Sequence, residues 1–285
     1  GITGRSNPNE GKTWPWDLIH QTDEIMPDPA AMPDDLMTQL IHLPPEKLKQ
    51  GSSDSSYDDP ISHLRQSLAT TRGYTDLTLK LMNEERPQVM SVYYEGTDAM
   101  SHLFGKYQAP QLPWISSEDF AAYKDVVTEY WKWQDELLGE LLAQRGPHTT
   151  IMILSDHGFR QGSERRKEDH FHIETADADH QPDGMIVLHG PNIKAGVKIT
   201  DASIYDVTPT ILYAMNLPSG RDMTGHPLTE VFSTEFLRNQ PVQWVPTHET
   251  SERQRASGVV QNSESGEDLE KMLRSLGYIA GADGG

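Results

Sequence analysis

Two short patterns in the sequence pair a carboxylate with an imidazole. The first is Asp98-x-x-x-His102, just past the apolar run Val89–Tyr94. The second is Asp156-His157, just past Thr149–Leu154. Carboxylate and neutral imidazole suit zinc and other divalent ions. Such ions support hydrolytic chemistry, because they polarise a phosphoryl or carbonyl oxygen and activate a nucleophile. Singly, each pattern has an ordinary explanation. Asp-x-x-x-His is also a surface pair on a helix, and Asp-His-Gly is also a turn in which Asp and Gly suit the backbone. Both, however, follow stretches that read as strands, and in open parallel sheets sites form beyond the carboxyl ends of strands. Two Asp/His pairs delivered to one sheet edge are less easily explained as two turns. A third group is needed, and the candidates are His170, His172, His180 and His189.

The elements that must position these groups alternate along the chain. Residues 61–83 place Leu64, Leu68, Tyr74, Leu77, Leu79 and Leu81 at a roughly helical period, with an interruption expected near Gly73. Val89–Tyr94 is apolar, β-branched and aromatic, which fits a buried strand with Tyr93 and Tyr94 as its core. Ser116 opens a long helix, with Asp119 completing a capping box. Phe120, Tyr123, Val127, Tyr130, Gln134, Leu137, Leu138 and Leu141 form one face of it, and Gly146-Pro147 ends it. Thr149–Leu154 and Met185–Leu188 read as further strands. Between them, residues 160–183 are charged and His-rich, which predicts a loop with Arg165, Arg166 and Lys167 solvated. Tyr205–Met215 reads as a short helix, with Ser203 or Asp206 capping its start. Strands alternating with helices imply an α/β domain with a largely parallel sheet.

Residues 1–60 are rich in Pro, Asp, Ser and Gly, and are broken at Pro15, Pro27, Pro29, Pro33 and Pro44-Pro45. They predict an irregular surface segment with short helical turns around Asp34–Leu43. The expected domain then spans 61–246. A polar tail follows over 247–285, with a last short helix at Leu269–Leu276.

The composition sets limits. At 285 residues the chain suffices for one large domain or two small ones. A net charge of -19 argues against a nucleic-acid-binding surface, which needs clustered Lys and Arg. It does not argue against a small phosphate ester, since metal ions supply positive charge locally. The absence of cysteine excludes disulfides and thiolate sites, so any metal is held by His, Asp or Glu. No run of about 18 apolar residues predicts a membrane span. Compartment and oligomeric state stay open.

At this point the residues resemble a family. Tyr94-Glu95-Gly96-Thr97-Asp98-Ala99-Met100-Ser101-His102, then Leu154-Ser155-Asp156-His157-Gly158-Phe159, resemble the alkaline phosphatase superfamily, and within it the type I phosphodiesterase/nucleotide pyrophosphatase family. His180-Gln181-Pro182-Asp183-Gly184 is similar to its third-ligand segment. His189-Gly190-Pro191-Asn192-Ile193-Lys194-Ala195-Gly196 and Asp206-Val207-Thr208-Pro209-Thr210-Ile211-Leu212 also fit. So do Asp222-Met223-Thr224-Gly225 and the terminal Leu273-Arg274-Ser275-Leu276-Gly277-Tyr278. The resemblance covers roughly residues 60–235 and the tail, and it rests on the order and spacing of the motifs together.

The resemblance implies a three-layer α/β/α sandwich and a phosphoric ester hydrolase with two divalent ions, zinc in first place and manganese or another ion as the alternative. Asp98, His102 and His180 would hold one ion, Asp156 and His157 the other. The substrate would be a small phosphate ester or nucleotide-like molecule. The family also implies a Thr or Ser nucleophile between the ions and one further Asp ligand, both in its N-terminal portion. No matching segment stands in this sequence, so the chain reads as the C-terminal portion of such an enzyme, with weaker metal binding than a complete site. Within the superfamily, sulfatase and phosphonate hydrolase are alternatives. Outside it, the rival is a non-catalytic metal-binding or interaction domain.

Overall fold

The computed structural model describes residues 18–48, 59–167 and 177–249. These divide into two compact units. Among the described residues, the first gathers 18–48, 59–145, 159–167 and 177–180, and the second 146–158 and 181–249.

The first unit is helical. Its chain begins with α1 (Leu18–Ile25), α2 (Asp34–Leu40) and α3 (Pro45–Leu48). The prolines here stand at helix starts, where a missing N–H removes no hydrogen bond. Within residues 18–48 the segment is therefore not a surface excursion: Met26, Met32, Met37, Leu40, Ile41 and Leu48 are buried. Asp59 caps α4 (Pro60–Glu84) by accepting from the Ser62 N–H at 3.1 Å. This helix runs straight through Gly73, where an interruption was expected. Glycine serves packing there, since a Cβ would lie 2.4 Å from the Met26 sulfur.

Next come α5 (Gly96–Phe104), α6 (Ser117–Tyr123) and α7 (Val126–Ala143). Ser116 and Asp119 form the expected cap, with the Asp119 N–H donating to Ser116 Oγ at 3.0 Å. The single long helix expected from Ser116 is two. The His42 N–H donates to the Ala122 carbonyl at 2.9 Å, taking the acceptor that a continuous helix would use. Asp125, at the break, bonds to the His42 ring at 2.9 Å. Leu64, Leu68, Ala99, Met100, Leu103, Phe104, Val126, Tyr130 and Leu137 close the core at helical spacing.

Val89–Tyr94 does not form a strand. It runs without regular structure, with Val89, Met90 and Tyr93 exposed. Its residue types suit a strand, but no described strand shares a ladder with it. Tyr94 is tied instead to α4, through Thr75 Oγ1 at 2.9 Å.

In the second unit, β1 (Ile151–Ser155) pairs with β4 (Met185–His189), antiparallel, from Ile151↔His189 to Ser155↔Met185. Between them in sequence, β2 (Gly158–Phe159) pairs with β3 (His180–Gln181), with Phe159 and His180 counted in the first unit and Gly158 and Gln181 in the second. After α8 (Val207–Ala214), β5 (Ser219–Gly220) and α9 (Thr234–Asn239), β6 (Trp244–Val245) pairs in parallel with β5. The largely parallel sheet expected from the alternation is absent among the described residues. Its sheets have two strands each. A parallel pair needs a long crossover, usually a helix, and only 3-10 turns are described between β1 and β4. Ser203 and Asp206 form the expected capping box ahead of α8. Ile186 and Leu188 turn inward onto Tyr213, Leu228, Val231, Phe232 and Phe236, while Met185 and Val187 stay exposed. No described helix is long and apolar enough to cross a membrane. The expected helix at Leu269–Leu276 lies outside the described residues.

Candidate metal centre

Helix α5 carries Asp98 and His102 one turn apart. Ala99, Met100, Leu103 and Phe104 take its buried face, which leaves the two polar residues together on the flank. Asp in the first turn and His in the last both agree with the helix dipole. The start of α5 is pressed against α7. A Cβ at Gly96 would lie 1.8 Å from the Tyr130 hydroxyl oxygen, which is itself held by Thr71 Oγ1 at 2.9 Å.

His180 comes to the same place from β3. The Arg160 N–H donates to the Asp179 carbonyl at 2.9 Å, and Arg160 Nε donates to the Ala178 carbonyl at 2.7 Å. His180 Nε2 then lies 3.0 Å from His102 Nε2. The Asp98 carboxylate reaches both rings, at 3.6 Å to His102 and 3.7 Å to His180. One ligand atom from each of the three falls within 4.8 Å of the others. All three side chains are largely buried, His102 most of all at 4% exposed.

This donor set fits a divalent ion. Two imidazole nitrogens and one carboxylate oxygen on one point are the three protein ligands of a zinc-type site that keeps a position open for substrate. The surroundings also suit it. His102 Nδ1 faces Asp179 Oδ2 at 3.9 Å, the side from which an outer carboxylate orients a ligating histidine. Arg166 stands 3.9 Å from the other Asp179 oxygen. The Phe159 ring meets His102 and His180 edge-on, with centroids at 4.8 and 5.1 Å.

Asp156 and His157 follow β1 in the second unit, with the His157 ring 3.8 Å from the Asp156 carboxylate. His189 is exposed at the end of β4. His170 and His172 lie outside the described residues. Asp206 is a cap, as expected, and also accepts from the His226 N–H at 2.7 Å.

Arg165 corrects the sequence reading. It is 6% exposed, not solvated. Its Nε donates to the Gly162 carbonyl at 2.6 Å and Nη2 to Pro110 at 2.6 Å. Its Nη1 meets the Gly105 and Lys106 carbonyls at 3.2 Å and that of Gln108 closer still. Burial pulls its pKa down from the usual arginine value. Phe159, Asp179 and Arg165 were not among the expected site residues, because their partners lie 55 to 77 positions away or are side chains no local pattern identifies.

Residues 11–216 match the family of type I phosphodiesterases and nucleotide pyrophosphatases. The chain belongs to that family. This places it in the alkaline phosphatase superfamily. The match to the phosphodiesterase family begins well before residue 60, so the proline-rich segment holding Met26 to Leu48 is largely inside it. It stops short of Asp222-Met223-Thr224-Gly225. No curated protein and no solved structure matches the chain. Family membership and the Asp98–His102–His180 cluster together support phosphoester hydrolysis with a metal site.

Proposed function

We propose that this phosphodiesterase-family chain holds the metal site of a phosphoric ester hydrolase, of the phosphodiesterase or nucleotide pyrophosphatase type, acting on a small nucleotide-like ester. The convergence of His102, His180 and Asp98 carries the reading. A divalent ion held there, zinc before manganese, supplies Lewis acidity toward a phosphoryl oxygen. The residues do the rest. Asp98 contributes the negative charge that a cation needs in a largely buried place. The Asp179 carboxylate stands 3.9 Å from His102 Nδ1, on the far side of the ring from the Nε2 that faces the cluster, where the outer partner of a ligating histidine belongs. Phe159 walls off water beside both rings, which strengthens every charge interaction within. The same reading gives Asp156 and His157 a second ion, an in-line displacement by a Thr or Ser nucleophile, and an alkaline phosphatase-like α/β/α fold.

The test uses the metal-stripped chain, titrated calorimetrically with zinc and assayed on bis(4-nitrophenyl) phosphate. His102→Ala and His180→Ala should each weaken zinc binding by more than about 100-fold, the upper range for outer partners alone. Unchanged affinity in both variants would falsify the site. Tight zinc binding without hydrolysis, even with a complete enzyme of the family, would favour the non-catalytic metal-binding reading.

A further inference from the structure

Resting on that reading of the metal site, we propose that Arg165 is a positioning residue that locks the ligand set into register. The site is built from two stretches distant in sequence. Helix α5 supplies Asp98 and His102, while the β2–β3 pair supplies His180 as third ligand and Phe159 as aromatic wall. Arg165 follows β2, six residues after Phe159. Four of its five carbonyl acceptors, on Gly105, Lys106, Gln108 and Pro110, belong to the chain directly after α5. The fifth, on Gly162, fixes the guanidinium within its own turn.

The chemistry calls for arginine. The C-terminal end of a helix carries partial negative charge, so a cation is stabilised there. A planar guanidinium presents five donors in a fixed fork, and an ammonium presents one charge on a flexible stem. The contact is buried, so water does not replace it. The 3.0 Å approach of His180 to His102 closes a 78-residue separation. Ordering that closure before the ion arrives lowers the entropy lost on binding.

The experiment compares Arg165→Lys with Arg72→Lys in the full chain. Arg72 is a fair control: it sits in the same unit and bonds Asp76 and Glu140, away from the ligands. With zinc alone as probe, Arg165→Lys should lose about tenfold or more in affinity, the range for outer-shell partners. Arg72→Lys should stay within about twofold of the parent. Equal affinity in Arg165→Lys and the parent overturns the proposal, and so does an equal loss in both variants, which would mark a general loss of stability. A second measurement needs no variant. Zinc held by the ordered site should slow hydrogen exchange at Arg165 Nε–H and leave that of Arg72 unchanged. No slowing overturns the proposal even if Arg165→Lys fails to fold. If the parent binds no zinc, the metal reading itself falls.

Discussion

Arg72 and Arg165 look alike in the sequence and do different work in the fold. Arg72 makes a two-pronged contact with Glu140, Nη1 to Oε1 at 2.8 Å and Nη2 to Oε2 at 2.9 Å, and also bonds Asp76. It ties α4 to α7. Its hydrogen bonds hold the Glu140 carboxyl below the ordinary value of 4.5. The pair's contribution is therefore complete above the unfolded glutamate pKa and is lost as pH falls through the lower folded value. Glu140 is 44% exposed, so solvent screens it to the scale of surface pairs, about 0–1 kcal/mol. Glu140→Gln should flatten the acid limb: between pH 6 and 3, its urea midpoint should fall less steeply than the parent's. Parallel slopes would show that the pair is silent. Arg165 could not be distinguished in this way from its sequence. Arg166 and Lys167 beside it suggest a solvated cationic run, and its acceptors lie 55 to 60 positions away. Asp98 and His102 drew attention by their spacing and by a strand expected before them; the spacing is one turn of α5, and the strand is not formed. His180 stood out from His170, His172 and His189 only by its place just before an expected strand and by the family resemblance.

Elements were legible where local chemistry sets them, and illegible where a distant group does. The Ser116–Asp119 cap, the capping box of Ser203 and Asp206, and the cores of β1 and β4 all follow from neighbours in sequence. The break between α6 and α7 does not, because the His42 N–H comes from another part of the chain. The burial of Met26 to Leu48 was hidden by prolines that only set where the short helices start. Val89–Tyr94 shows the limit of residue type: β-branched and aromatic residues make a strand only beside another strand. Helix α5 carries a sharper consequence. Gly96→Ala would gain up to about 1 kcal/mol of helix propensity if space allowed. The Cβ would sit 1.8 Å from Tyr130 Oη, so α5 or the Thr71–Tyr130 pair must shift. Overpacking of this kind costs about 1–3 kcal/mol, and the net effect should be destabilising. Tyr130→Phe in the same chain removes the clashing oxygen and should recover part of the loss. Thermal unfolding of the single variants and the pair measures this. Additive effects would show that the two positions do not meet.

For the whole chain, 43 acidic against 24 basic residues set the electrostatic background. Such an excess repels itself in the folded state and repels an anionic ester in solution. On the proposed reading, a divalent ion among Asp98, His102 and His180 would bring positive charge to the point where a phosphate would bind. The background makes its own prediction about stability. Local attractions such as Arg72–Glu140 and Lys80–Glu84 are short and are partly protected from salt. The net repulsion acts over longer distances, and ions screen it beyond a Debye length of about 10 Å at 0.1 M. Raising sodium chloride from about 10 to 200 mM, around that value, should therefore stabilise the metal-free chain. A gain of about 1 kcal/mol corresponds to roughly 2–4 °C in Tm for a chain of this size. Sodium chloride is the right probe, since a divalent salt would also load the site and raise Tm by binding. A Tm that falls with added salt would mean that the close pairs outweigh the long-range repulsion. Stability would then rest on particular ion pairs, and variants such as Glu140→Gln should cost more at low salt than at high.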